Sequence, residues 1–311
     1  MSRALNLILA VLFVSACQQT ETADTTATAP APAPAESQPA APQPVVLEGF
    51  STPESVLYDP EQDVYFVSNI NGAPLAVDDN GFIAKLNPED LKPVDLKFID
   101  GAEPDVTLNA PKGLAIVGDE LWVSDITTVR KFDRRTGAPK GEVKIPGSTF
   151  LNDLAADGTT VYVSDSGMKA GEGGNFAPTG TDAIWRISGT KATKLASGKD
   201  LKGPNGLVVA GGKVWASSFG ANEIYAIENG KKGTPVTLPK GGLDGFAALP
   251  DGSLAVSSWD GNAIYRGQPS GPFTVMAENV NSPADFGFDA KRNRIVIPHF
   301  MENRVSVVSV Q

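Results

Sequence analysis

Residues 204–218 read Pro204-Asn205-Gly206-Leu207-Val208-Val209-Ala210-Gly211-Gly212-Lys213-Val214-Trp215-Ala216-Ser217-Ser218. An apolar run, a Gly-Gly turn and a second apolar run describe two short strands, opening on a polar residue held between Pro and Gly. Five other segments repeat the pattern. Pro53-Glu54-Ser55-Val56 leads to Val67-Ser68-Asn69, Pro111-Lys112-Gly113-Leu114 to Val123-Ser124-Asp125, and Leu151-Asn152-Asp153-Leu154 to Val163-Ser164-Asp165. Leu243-Asp244-Gly245-Phe246 leads to Val256-Ser257-Ser258, and Pro283-Ala284-Asp285-Phe286 to Ile297-Pro298-His299. Copies roughly 40 to 58 residues apart, each made of short strands, specify a β-propeller or a similar array.

Each repeat continues with a third strand, such as Phe82-Ile83-Ala84-Lys85-Leu86 or Ala183-Ile184-Trp185-Arg186-Ile187, and a fourth, such as Leu96-Lys97-Phe98 or Val143-Lys144-Ile145. Four strands in six units give an all-β, six-bladed propeller over residues 45–311. The last repeat ends without a fourth strand, while Val45-Val46-Leu47 precedes the first. That N-terminal segment is expected to be the outer strand of the last blade, closing the ring and removing an exposed sheet edge.

The chain has 311 residues, a formal charge of −10 and a single cysteine. So acidic a balance argues against nucleic acid and anionic lipid surfaces as partners. One cysteine, Cys17, excludes an intramolecular disulfide and a Cys-based zinc cluster. Its setting is informative. Arg3, the apolar run Ala4 to Val14 and Val14-Ser15-Ala16-Cys17 resemble a bacterial lipoprotein signal, with Cys17 lipidated after cleavage. The other reading is an ordinary secretory signal with an incidental cysteine. The lipoprotein reading makes residues 1–17 a signal peptide and places the protein outside the cytoplasm, anchored to a membrane through Cys17 on the periplasmic side or cell surface. Residues 18–44, rich in Thr, Ala and Pro, cannot bury a core and read as a disordered tether.

Chain direction sorts the loops. In an antiparallel meander successive turns alternate between the two ends of a blade, so residues opening each first strand share a rim with those ending each second strand. That rim also carries the longest loops, where function is expected. First strands line the central channel, so Glu54, Lys112, Asn152, Asn205, Asp244 and Ala284 converge near the axis. Glu54, Asn152, Asn205 and Asp244 are oxygen donors suited to a hard cation, calcium or another divalent ion. The bland alternative is that each satisfies loop backbone groups, as Asn and Asp often do at turns. Lys112 breaks the pattern; it reads as a solvated lysine or as a group orienting an anionic substrate.

The ordered set Glu54, Asn152, Asn205 and Asp244 resembles the calcium ligands of the senescence marker protein-30/gluconolactonase family. It is also similar to the set in paraoxonases and squid-type diisopropylfluorophosphatase. The resemblance spans residues 45–310 and departs at Ser55, where those relatives usually have Gly. It implies a calcium-dependent hydrolase of a lactone or related ester, with Asp244 as base or water-orienting group. His299 and Trp259 resemble a rim histidine and tryptophan of the phosphotriesterase relatives, which makes His299 a catalytic candidate beside its alternative as a hydrogen-bonded structural histidine. Asp125 and Asp165 share the register of His299 and read either as contacts to polar substrate groups or as loop caps. Met168 and Phe176, in a glycine-rich loop over residues 166–180, suggest a lid over the channel, the alternative being that the loop is disordered padding. Two rival functions stand beside the lactonase reading: a non-catalytic, metal-containing propeller that binds a partner through its rim, and a phosphotriesterase.

Overall fold

The structure is a computed structural model describing Pro44–Val45 and residues 49–310. The lipidation site, the signal segment, the tether up to residue 43, and Val46 and Leu47 lie outside the described residues.

Six four-stranded antiparallel sheets stand as blades around a central axis. Blades one, two, three and five are simple meanders, ordered in sequence from the inner strand outward. Their inner strands are Pro53–Asp59, Pro111–Val117, Leu151–Asp157 and Leu243–Ala248. Blade four opens with Pro204–Ala210 and has a broken outer edge, Lys231–Lys232 and Val236–Thr237, both paired with Glu223–Glu228. Blade six opens late, with Gly287–Asp289, and is closed by Pro44–Val45 pairing antiparallel with Ser306 and Val305. The expected closure is therefore present, beginning at Pro44, one residue earlier than the composition of the tether suggested.

Why the strands read as continuous apolar runs is clear from the core. In Val64-Tyr65-Phe66-Val67, side chains alternate between two interblade clusters: Val64 and Phe66 pack toward blade two, Tyr65 and Val67 toward blade six. A blade buried on both faces needs apolar residues at both parities. Six such clusters, each shared by neighbouring blades, make up the hydrophobic core.

The seam between blades six and one has extra ties. Asp285 donates its N–H to Glu54 O at 2.9 Å, and Val56 donates to Asp285 O at 3.0 Å, a parallel bridge from blade to blade. On the same seam Arg292 pairs with Asp63 at 2.9 Å and with Asp289 at 3.1 Å, while Arg294 donates to the Tyr65 hydroxyl at 2.8 Å. The chain thus joins its ends through a strand, a bridge and an ion network.

Candidate functional site

Five of the six inner strands carry an irregularity at the same place, the short inner strand of blade six being the exception. Pairing with the second strand is interrupted between Pro53 and Val56, Pro111 and Leu114, Leu151 and Leu154, Pro204 and Leu207, and Leu243 and Phe246. The two residues inside each interruption are the axial residue and its successor. Bulges re-aim side chains, and these turn the axial residues out of the ladder. Glycine follows where two blades approach closely: a Cβ at Gly206 would lie 2.1 Å from the backbone oxygen of Asp244. At Gly113 it would lie 2.4 Å from the Cα of Asp153.

A second device fixes the axial backbone. In blades two to five the serine before the end of the second strand donates its hydroxyl to the carbonyl of the next blade's axial residue. Ser164 donates to Asn205 O at 2.6 Å, Ser217 to Asp244 O at 2.7 Å and Ser257 to Ala284 O at 3.0 Å. Ser124 makes the same bond to Asn152 O. The recurring Val-Ser motif marked the repeats in the sequence, but its role as a blade-to-blade tie depends on contacts across 27 to 41 residues.

The axial residues converge on a cavity of about 390 Å³. Glu54, Lys112, Asn152, Asn205 and Asp244 are buried in it, with Ser166 beside them. Trp259, Met168 and Phe176 also line it. Met168 and Phe176 are not in an unstructured loop. Met168–Ala170 and Phe176–Pro178 pair as a short hairpin, and Phe176 packs edge-on against Phe150 with centroids 5.5 Å apart.

Four buried oxygens at this floor lack a hydrogen-bond partner: Glu54 Oε2, Asn152 Oδ1, Asn205 Oδ1 and Asp244 Oδ1. Elsewhere among the described residues one buried side-chain oxygen, Asn80 Oδ1, is in that condition. Buried acceptors are almost always paired, so four at one point mark a place for a hydrogen-bond donor or a cation. Among the described residues no group of three or more His, Cys, Asp or Glu is arranged to hold a metal. The donors here are of another kind, two carboxylates and two amides, a set that fits a hard, oxygen-seeking cation.

The electrostatics agree. Burial, then the Asp285 charge, pushes Asp244 up to about 8, against the hydrogen bond from Trp259. Burial and the charges of Asp244 and Asp285 raise Glu54 well above the ordinary carboxylate range, with Lys112 opposing. Beneath them, Asp285 is pushed to about 7 by burial, and Asp153 is also raised. Ser55, the departure from the family pattern, donates its hydroxyl to Asp285. Four buried carboxyl groups facing one lysine are short of positive charge, which a divalent cation would supply.

Lys112 departs from the solvated reading. Its side chain is 1% exposed, donates to Ala110 O at 2.9 Å and lies 4.7 Å over the Phe150 ring. Burial lowers it to about 8. Nothing in one copy of the repeat distinguishes a lysine pointing inward from one pointing outward; the bulge decides it.

His299, Asp125 and Asp165 are not brought to the cavity. Asp125 Oδ1 accepts the N–H of Ala110 at 2.9 Å, and Asp165 Oδ1 accepts that of Phe150 at 2.9 Å. His299, 1% exposed, lies with Nδ1 2.8 Å from Asn281 O, so that nitrogen bears the proton. Its Nε2 accepts from the Ser306 hydroxyl at 2.7 Å, and burial lowers its pKa. Asn69, Ser218 and Ser258 do the same in the other blades, bonding Ser51 N, Lys202 O and Gly241 O. This whole register clamps the loop entering its own blade. The catalytic expectation for His299 is corrected accordingly: both ring nitrogens are committed to structure.

No family model matches the chain, and no curated protein does. Solved structures do. A gluconolactonase of Xanthomonas campestris matches at TM-score 0.63 and 17% identity, over 84% of this chain and 87% of that one. A second, putative gluconolactonase matches at TM-score 0.62 and 16% identity, over 86% and 91%. The fold is that of the gluconolactonase-like six-bladed propellers. Virginiamycin B lyase of Staphylococcus aureus also matches, at TM-score 0.59 and 14% identity, over 86% of this chain and 99% of that one. At these identities the likeness concerns architecture alone.

Proposed function

We propose that the protein is a calcium-dependent hydrolase of a lactone or related ester, exported and held at a membrane through Cys17. The observation that carries the reading is the set of four unpartnered oxygens from Glu54, Asn152, Asn205 and Asp244 at one buried point. These four residues would hold the ion. When bound, calcium supplies Lewis-acid polarisation of a carbonyl and neutralises the two carboxylates.

The chain's own groups do the rest. Trp259 Nε1 donates to Asp244 Oδ2 at 2.9 Å, which fixes the carboxylate plane and leaves Oδ1 facing the cavity floor. Asp244 orients the attacking water and takes its proton as the water oxygen bonds to the carbonyl carbon. The acyl C–O bond then breaks, and the leaving oxygen takes back from Asp244 the proton that the water gave up. Lys112 Nζ, buried in the same floor, would offer its two remaining hydrogens to the negative charge developing on the substrate and to the carboxylate of the product. The apolar walls exclude bulk water, strengthening each of these interactions.

The test is a panel of lactones, aryl esters and a phosphotriester, offered to the purified protein with calcium and with chelator. The reading expects calcium-dependent turnover of at least one lactone or ester. Calcium binding with no turnover across the panel supports the non-catalytic alternative, and turnover unchanged by chelator removes the metal from the chemistry.

A further inference from the structure

We propose that the substrate of this site is an apolar lactone or ester, alkyl- or aryl-substituted, and not a polyhydroxylated sugar lactone. The inference rests on the hydrolase reading above and concerns what surrounds the reacting group.

Above the polar floor the cavity changes character. Five aromatic rings line it: Phe150, Phe176, Phe219, Trp259 and Phe300. They form two groups on different blades. Phe176 packs on Phe150, while Trp259 stands between Phe219, with centroids 5.9 Å apart, and Phe300, at 5.3 Å. Met168 and Met301 add flexible apolar surface.

A sugar lactone would bring several hydroxyls into this space, and each needs a partner or is penalised for losing water. The polar side chains lining the cavity are confined to its floor, and the walls above offer a sugar's hydroxyls none. Glu54, Asn152, Asn205 and Asp244 face the cation position, and Ser166 donates to Pro204 O at 2.8 Å. Lys112 donates once to Ala110 O, and its remaining hydrogens serve one anionic group at the floor, not hydroxyls distributed around a ring. Asp125 and Asp165, the residues that the sequence offered for polar substrate groups, are turned away onto loop N–H groups.

The mouth points the same way. Phe176 is 49% exposed, Phe219 39% and Met301 71%, although each has a large apolar side chain. Apolar surface kept open around a cavity marks a binding site for an apolar ligand. At about 390 Å³ the cavity holds a body well beyond a bare lactone ring.

The test uses the purified protein with calcium and a series of δ-lactones carrying a 5-alkyl chain from none to seven carbons, with glucono-δ-lactone as the polar member. Proton release gives kcat/KM. The expected result is a rise of about two- to fourfold per added methylene until the cavity is filled. The long-chain members then exceed glucono-δ-lactone by a factor on the order of 10². A flat series, or glucono-δ-lactone turned over as well as the heptyl lactone, overturns the inference while leaving a lactonase.

A binding arm separates this from the catalytic reading. Unreactive 6-alkyl piperidinones of matched chain length are titrated against intrinsic tryptophan fluorescence. Affinity that rises with chain length, with no lactone turned over, sustains the apolar site and removes the hydrolase. No dependence on chain length in either arm removes the apolar site. Phe219→Ser and Met301→Ser, both at the exposed mouth and so compatible with folding, should flatten the chain-length slope; an unchanged slope in both overturns the inference.

Discussion

Asp244 is the residue on which floor, wall and blade meet: its Oδ1 is unpartnered, its Oδ2 accepts from Trp259, and its carbonyl accepts from Ser217. Asp244→Asn preserves the shape and removes both the charge and the base. Turnover should fall by a factor on the order of 10² or more with the fold intact. Wild-type-like turnover would move the base elsewhere, with Glu54 next. The same residue makes stability depend on pH. Folded Asp244 keeps its proton to about pH 8, whereas the unfolded chain releases it near the ordinary 3.8. Between those values the cation-depleted fold binds more protons than the unfolded chain. Its contribution is therefore full below about pH 4 and lost as pH rises toward about 8. Glu54 shifts in the same direction. Calcium stabilises the ionised forms and offsets that loss, so the Tm difference between calcium and chelator should widen from about pH 5 to about pH 8. A difference that is constant or narrows with pH would mean that these carboxylates do not hold the ion.

At the scale of the element, the unit that matters is the bulged inner strand with its serine tie. Ser217→Ala leaves Asp244 O without its buried donor, which should cost about 1–3 kcal/mol of stability by chemical denaturation. Calcium affinity should fall as well, because the tie sets the backbone from which Asp244 reaches the axis. Lost stability with calcium affinity unchanged would make the tie purely structural. The hairpin Met168–Ala170 with Phe176–Pro178 shows how an element can be half visible. Its apolar residues and glycines marked a channel-side segment, yet pairing of Lys169 with Ala177 follows from no periodicity in so short a run.

The whole molecule is a ring, and a ring has one place where it must be shut. Pro44–Val45 covers the outer edge of Arg304–Ser309, and Phe50 lies in the cluster shared by blades one and six. Deleting residues 18–43 should leave Tm nearly unchanged. Extending the deletion to residue 50 removes strand and core residue together and uncovers a sheet edge, so Tm should drop and the protein should associate on sizing chromatography. Equal behaviour of the two truncations would assign closure to the Arg292 network and the Ser55–Asp285 bridge instead.

Six repeats, four strands in each, the closing N-terminal strand and the convergence of Glu54, Asn152, Asn205 and Asp244 were all legible in the sequence, for one reason. Strand periodicity and turn chemistry are local, and repetition around an axis turns a shared register into a shared place. What each member of a register does once there is not local. Lys112 and Asn205 hold equivalent positions, yet one is a buried cation over Phe150 and the other an unpartnered acceptor. His299 has the chemistry of a catalyst, but Asn281 O and Ser306 Oγ occupy both its nitrogens. Asp125 and Asp165 clamp loops because the N–H groups of Ala110 and Phe150 lie within reach. Those partners stand 7 to 18 residues away in sequence, across a turn or a loop, and only packing brings them within hydrogen-bond distance. The apolar wall was dispersed in the same way, with Phe150, Phe219 and Phe300 in three separate loops until the blades closed around the axis.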